Sequence, residues 1–159
     1  MRKILNPFVN RNKDEYNCIA CSPYNKIGLK LQFWEDEDTV ICNWDPIRDF
    51  EGYHGVVHGG MQALLMDEIA AWTVYVKCGT GGVTAGMDIK YRKPASSLKG
   101  PLKLVSKVQE QNVRLAKLLV QLYNANGVLA SESLVTYFLF PLERAKKEFM
   151  YPGLEAFFE

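Results

Sequence analysis

The sequence predicts an α+β fold in which an antiparallel sheet wraps around one long helix. Three observations carry that expectation. Residues Gly60 to Lys77 hold neither proline nor an internal glycine and are rich in alanine, leucine and methionine, so they read as one helix of about 27 Å. Ahead of it, Leu29, Leu31 and Phe33 and then Val40, Cys42 and Trp44 alternate with polar neighbours, the mark of a hairpin. Behind it, four stretches between residues 83 and 140 carry strand patterns separated by short turns.

Taken in order, residues 1 to 16 show no clean period and form an N-terminal arm or short surface helix. Cys18 and Cys21 have the C-x-x-C spacing of zinc or redox sites, but a closed zinc site needs four ligands and no second ligand pair appears. A structural loop is the reading taken, with no metal expected. The acidic run Glu35 to Asp38 is the solvated tip of the hairpin. Pro46 ends the second strand, and residues 46 to 57 deliver the chain to the helix.

On a helical wheel Gln62, Thr73 and Lys77 make one narrow polar stripe, and nearly all the remaining surface is apolar or small, so the helix is buried. Asp67 and Glu68 interrupt it. Asp67 lies among Ala63, Ala71 and Val74, and a carboxylate in such surroundings must be hydrogen bonded, paired or functional. Gly79 to Gly82 follow a helix and precede a strand, the reverse of a phosphate cradle, and read as a turn. From residue 83 onward strict alternation places Val83, Ala85, Met87, Ile89 and Tyr91 on one face and Thr84, Gly86, Asp88, Lys90 and Arg92 on the other. Strands near 102 to 110, 114 to 125 and 128 to 140 follow, with Asn126-Gly127 as a two-residue hairpin signal. Residues 142 to 159 form a C-terminal extension that starts as a charged surface helix. All 159 residues are expected in one domain.

Composition narrows the function. With 19 basic against 18 acidic residues the chain has no global field to attract nucleic acid or an anionic membrane. The N-terminal residues lack the apolar core of a signal peptide and no segment has the length of a membrane span, so a cytoplasmic protein with reduced thiols is expected.

Serine nucleophile chemistry and hydride transfer lack their motifs, which leaves His54, His58, Gly59, Gly60, Asp67, Glu68 and Thr84. Free amides at a helix start can hold an oxygen that becomes negative during reaction, and a carboxylate can activate water against a carbonyl. Nine residues of helix put His58 and Asp67 roughly 13 Å apart, too far to share a reacting atom within one chain. If they act together, the carboxylate comes from an antiparallel second subunit, which predicts a symmetric dimer with two equivalent sites.

These residues resemble the hotdog-fold acyl-CoA thioesterases of the PaaI-like group over roughly Asn17 to Pro141. The likeness rests on Asn17-Cys18 to Cys21 with Ile27-Gly28-Leu29, on Glu51-Gly52 with His58-Gly59-Gly60, on Asp67-Glu68, and on Val83-Thr84-Ala85 leading to Tyr91-Arg92-Lys93-Pro94. It implies a long central helix wrapped by a curved antiparallel sheet, a homodimer that often pairs again into a homotetramer, and metal-free hydrolysis of acyl-CoA with no cofactor. It implies Asp67 as general base or nucleophile and the Gly60 amide in the oxyanion hole. His58 would orient the carbonyl or support the turn, Thr84 would position water or the carboxylate, and Arg92 and Lys93 are candidates to meet CoA phosphates. Gly59, Gln62 and His54 join them as candidate substrate contacts, although His54 has no counterpart in the pattern. Some relatives carry asparagine where this chain has Gly52. The alternative function is a non-catalytic acyl-CoA or fatty-ligand sensor using the same pocket.

Overall fold

The computed structural model describes residues 1–10 and 14–158; residues 11–13 of the expected arm and residue 159 of the C-terminal extension lie outside the described residues. The described residues form seven strands and one long helix. The strands are β1 (Arg2–Ile4), β2 (Phe33–Asp36), β3 (Thr39–Trp44), β4 (Gly82–Tyr91), β5 (Leu102–Gln111), β6 (Leu115–Tyr123) and β7 (Leu129–Leu139). They make a single sheet in the order β1-β2-β3-β5-β6-β7-β4, every pairing antiparallel. The long helix α1 (Gly59–Thr73) continues through a π-helical turn at Val74–Cys78, and a short α2 (Leu142–Glu148) follows the sheet.

Helix α1 packs against β3, β5, β6, β7 and β4. Five adjacent strands span about 19 Å at their usual spacing, whereas a helix with its side chains is about 10–12 Å wide. The sheet therefore curves around the helix, and its register shifts at Thr84/Gly86, Val108/Glu110 and Leu122/Tyr123 help it to do so. The core between them is filled by Leu65, Met66, Ile69 and Trp72 from the helix and by Leu104, Leu118, Val120 and Val135 from the sheet, all buried.

Several local expectations change. The N-terminal arm begins as an edge strand, because Arg2 to Ile4 ladder onto Glu35 to Phe33. The acidic hairpin is more than a solvated tip: Lys77 reaches over from the helix end to Glu35 Oε1 (2.7 Å) and the Glu37 carbonyl (2.6 Å), and Arg2 holds Glu35 Oε2 (2.7 Å). The polar stripe on α1 faces inward at Gln62 and Thr73. Thr73 hydrogen bonds the Ile69 carbonyl and Ser106 Oγ, so the helix turns its half-buried small residues Ala63 and Ala71 toward its open side instead. Asn126-Gly127 is not a two-residue loop. Gly127 N–H donates to the Asn124 carbonyl and Asn124 N–H to the Val128 carbonyl, with only Gly127 of the loop at positive φ (+76°), which is a type I turn closed by a glycine bulge.

The C-terminal extension is part of the core. Phe157, fully buried, packs with Phe8, Trp72, Tyr75 and Tyr151 into one aromatic cluster, so the two ends of the chain meet over the last turns of the long helix. No described helix is long and apolar enough to cross a membrane.

Candidate active site

The site has two halves, set at the start and the middle of α1. At the start, His58 caps the helix: its Nδ1 accepts the Gly60 N–H at 2.9 Å, which satisfies one of the orphan amides of the first turn and fixes the neutral ring as the Nε2–H tautomer. His58 N–H in turn donates to the Phe50 carbonyl. The amide that the sequence assigns to an oxyanion is thus engaged, while the Gly59 N–H has no partner among the described residues, and Gly59 lines a groove of about 360 Å³ with Gly52, Tyr53, Val56, Val57 and His58. Tyr91, from the end of β4, braces this turn by donating to the Gly59 carbonyl at 2.8 Å. A Cβ on Gly52 would stand 3.3 Å from His58 Cδ2, so a larger residue there would have to share space with the capping ring.

In the middle of the helix, Asp67 Oδ1 accepts from Thr84 Oγ1 at 2.6 Å and from the Tyr137 hydroxyl at 3.1 Å. Tyr137 also reaches the Asp67 carbonyl at 3.2 Å, and burial first of all pushes its phenol well up, so it stays a donor. Asp67 Oδ2 has no partner among the described residues. A carboxylate held by two hydroxyls on one oxygen and left free on the other is oriented for proton transfer. Thr84 faces the helix because of the bulge between Thr84 and Gly86. Pairing sets Thr84 opposite Tyr137, Met87 opposite Val135, Ile89 opposite Ser133 and Tyr91 opposite Ser131, all four partners being helix-facing and buried. Without the extra residue, strict alternation would put Thr84 and Met87 on opposite faces.

The remaining candidates fall in different places. Gln62 is buried, donating to the Val57 carbonyl (3.0 Å) and accepting from Ser131 Oγ (2.8 Å), so it braces the loop beneath the site from within the core. His54 is exposed, with Nδ1 3.4 Å from Arg48 Nη2. Arg92 ion-pairs with Glu132, whereas the exposed Lys93 has no ion pair among the described residues. Glu68 points away from Asp67 toward Trp72 Nε1 (3.0 Å) and Cys18 Sγ (3.6 Å). From the sequence Tyr91 enters only as part of its strand and of the Tyr91-Arg92-Lys93-Pro94 stretch, and Tyr137 not at all. Tyr137 lies 70 positions from Asp67, and nothing in its strand pattern separates it from a core tyrosine.

β4 is the end strand of the sheet, and among the described residues its outer backbone groups have no ladder partner over ten residues. Val83, Thr84, Ala85 and Gly86 are exposed along it, next to Asp67.

A curved antiparallel sheet around one helix, with a glycine-rich helix start and a hydroxyl-held carboxylate two turns on, defines the class: a hotdog-fold protein. Residues 54–131 match the family model described as Thioesterase superfamily. The mouse protein Acyl-coenzyme A thioesterase THEM5 is 33% identical over 86 residues, which are 53% of this chain and 34% of that one; the match thus spans about a third of the relative's length. Among solved structures, a hypothetical thioesterase from Streptococcus pneumoniae TIGR4, crystallised with coenzyme A, superposes with a TM-score of 0.65 at 23% identity, covering 70% of this chain and 87% of that one. Zebra fish Thioesterase Superfamily Member 2 superposes with a TM-score of 0.65 at 28% identity over 75% of this chain and 88% of the other. The resemblance to the hotdog-fold thioesterases read from the sequence stands.

Proposed function

We propose that this protein hydrolyses an acyl-CoA thioester as a homodimer, with each site built from both subunits. The observation that carries the reading is the Asp67 carboxylate, fixed on Oδ1 by Thr84 and Tyr137 and open on Oδ2. Its rival is a sensor that binds acyl-CoA without cleaving it; a carboxylate held in this way serves proton transfer and has no evident use in binding alone. Hydrolase relatives and a CoA-bound neighbour support the substrate class.

In this mechanism a water gives its proton to Asp67 Oδ2 as its oxygen attacks the thioester carbonyl carbon. The oxyanion that forms is held by the Gly59 N–H of the other subunit, at the positive end of α1. Collapse breaks the carbon–sulfur bond, and the proton on Asp67 passes to the leaving CoA thiolate. His58 keeps the helix start in shape, and Lys93, with no ion pair among the described residues, is a cation placed to meet a CoA phosphate. The bare β4 edge supports the dimer: a long unpaired strand is normally covered, and two copies pairing antiparallel would cover it. Residues 1–159 act in this reading as one domain, whose ends close over the helix.

The test is hydrolysis of a panel of acyl-CoAs by the purified protein and by Asp67→Asn. Loss of turnover with substrate binding retained is expected. Undiminished turnover in the variant would overturn the base assignment, and tight acyl-CoA binding by the wild type without thiol release would favour the sensor. Mixing Asp67→Asn with a variant defective at Gly59 should restore one good site per mixed dimer; no recovery on subunit exchange would place both halves in one chain.

A further inference from the structure

Cys18 and Cys21 do not take part in the site above, yet they are not a plain loop. Their turn is closed by Ser22 N–H on the Cys18 carbonyl, and Leu29 and Leu31 tie it down through the Ile19 and Ala20 carbonyls. Cys18 Sγ accepts the amides of Ala20 (3.4 Å) and Cys21 (3.3 Å), the arrangement that favours a thiolate. Directly across from the turn, Glu68 Oε1 and Oε2 lie 3.6 and 3.7 Å from Cys18 Sγ. One ligand atom from each of Cys18, Cys21 and Glu68 falls within 4.8 Å of the other two.

We propose that Cys18, Cys21 and Glu68 form a binding site for a borderline-soft divalent cation, Zn²⁺ in the first instance. With Zn–S near 2.3 Å and Zn–O near 2.0–2.2 Å, the ligands of a tetrahedral site stand about 3.5–3.8 Å apart, and the Cys18–Glu68 separation already meets that. Two thiolates and a carboxylate suit zinc better than magnesium or calcium, which prefer all-oxygen shells. The fourth position falls to water. A cleft of about 630 Å³, lined in part by Cys21, Asn6, Leu31, Phe33 and Trp72, supplies the way in.

The charge balance points the same way. Among the described residues no lysine, arginine or histidine pairs with any of the three. The polar groups that do stand beside them are neutral: the Tyr16 hydroxyl 2.9 Å from Cys21 Sγ, and Trp72 Nε1 3.0 Å from Glu68 Oε1. A divalent ion would displace the remaining protons and supply the missing positive charge. It would also pin the 17–22 turn to α1 one residue from Asp67. The site is independent of the thioesterase reading.

Full-length protein, reduced and stripped of metal, is titrated with Zn²⁺ against a chromogenic chelator and with Co²⁺ as a spectroscopic probe. One ion per chain, thiolate-to-cobalt charge-transfer bands and a rise in Tm with Zn²⁺ are expected. Cys18→Ser and Cys21→Ser should abolish the charge-transfer intensity or weaken Zn²⁺ binding by about 100-fold or more, and Glu68→Gln by about tenfold or more. Cys42→Ser and Cys78→Ser should leave both unchanged. In wild-type protein Zn²⁺ should also slow alkylation of Cys18 and Cys21 but not of Cys78, which keeps the test decisive if a serine variant fails to fold. No stoichiometric binding at micromolar Zn²⁺, binding that survives loss of both cysteines, or cobalt spectra without thiolate bands would overturn the site.

Discussion

Thr84 Oγ1 stands 2.6 Å from Asp67 Oδ1, joining the edge strand to the middle of the long helix across 17 residues of sequence. The contact exists because a single extra residue in β4 turns Thr84 inward, beside Tyr137, and both hydroxyls then converge on one carboxylate oxygen. Thr84→Val keeps the shape and removes the donor. It should lower kcat on acyl-CoA about 10- to 100-fold through loss of carboxylate orientation, with little change in KM. Tyr137→Phe should cost about tenfold, the worth of one hydrogen bond to a charged group. Steady-state kinetics check both, and a loss confined to KM would mean that these hydroxyls serve binding instead.

The Gly59 amide can be tested without breaking the helix. Gly59 is the first helical residue, where proline is tolerated, and His58 already has the extended ψ of 138° that a residue before proline needs. Gly59→Pro should reduce kcat about 10²- to 10³-fold, as loss of an oxyanion donor does, with α-helical circular dichroism intact. Gly59→Ala keeps the N–H and brings its Cβ to 3.4 Å from the Tyr91 ring, so it should retain most activity. Equal losses in the two variants would assign the effect to crowding.

Glu68 makes stability depend on pH. Burial raises its folded-state pKa above the ordinary carboxylate value, so the folded chain holds the proton more tightly than the unfolded chain. The associated stability is present below about pH 4.3 and is lost as pH rises through the raised folded value. Glu68→Gln mimics the protonated acid. With chelator present, its Tm should therefore gain on the wild type as pH increases from 4 toward neutrality; a difference independent of pH would show that Glu68 ionises freely.

Phe157 joins the two ends of the chain to the helix. It is fully buried against Trp72, Tyr75, Phe8 and Tyr151, so Phe157→Ala should cost about 3–5 kcal/mol and lower Tm by roughly 10 °C in thermal unfolding. An unchanged Tm would mean that the C-terminal segment is dispensable to the fold.

The long helix and the strands after it were legible because they are repeated signals: an unbroken run of helix formers over 18 residues, and alternation of apolar with polar positions along the strands. The inward face of Gln62 and Thr73 was not, since a helical wheel shows that polar residues share a stripe but not which side of the helix meets the sheet. Here Ser131 and Ser106 supply partners inside, and the polar stripe goes in. Phe157 and the core role of the C-terminal extension were hidden for a similar reason, because its charged first turn masks a few aromatic residues that find their cluster only when both chain ends meet.

By itself the sequence determined the long helix, the hairpin before it and the four strands after it, and the residue types that chemistry could use: the histidine and glycines of the helix start and the carboxylate nine positions on. Which of those groups are free was decided only in three dimensions. Capping gives the Gly60 amide to His58 and leaves that of Gly59 open; the bulge brings Thr84 to Asp67; and the fold brings Glu68 to Cys18 and Cys21. Local propensity acts within a few residues, whereas hydrogen-bond partners 17, 50 and 70 residues apart are chosen by packing the whole sheet around the helix.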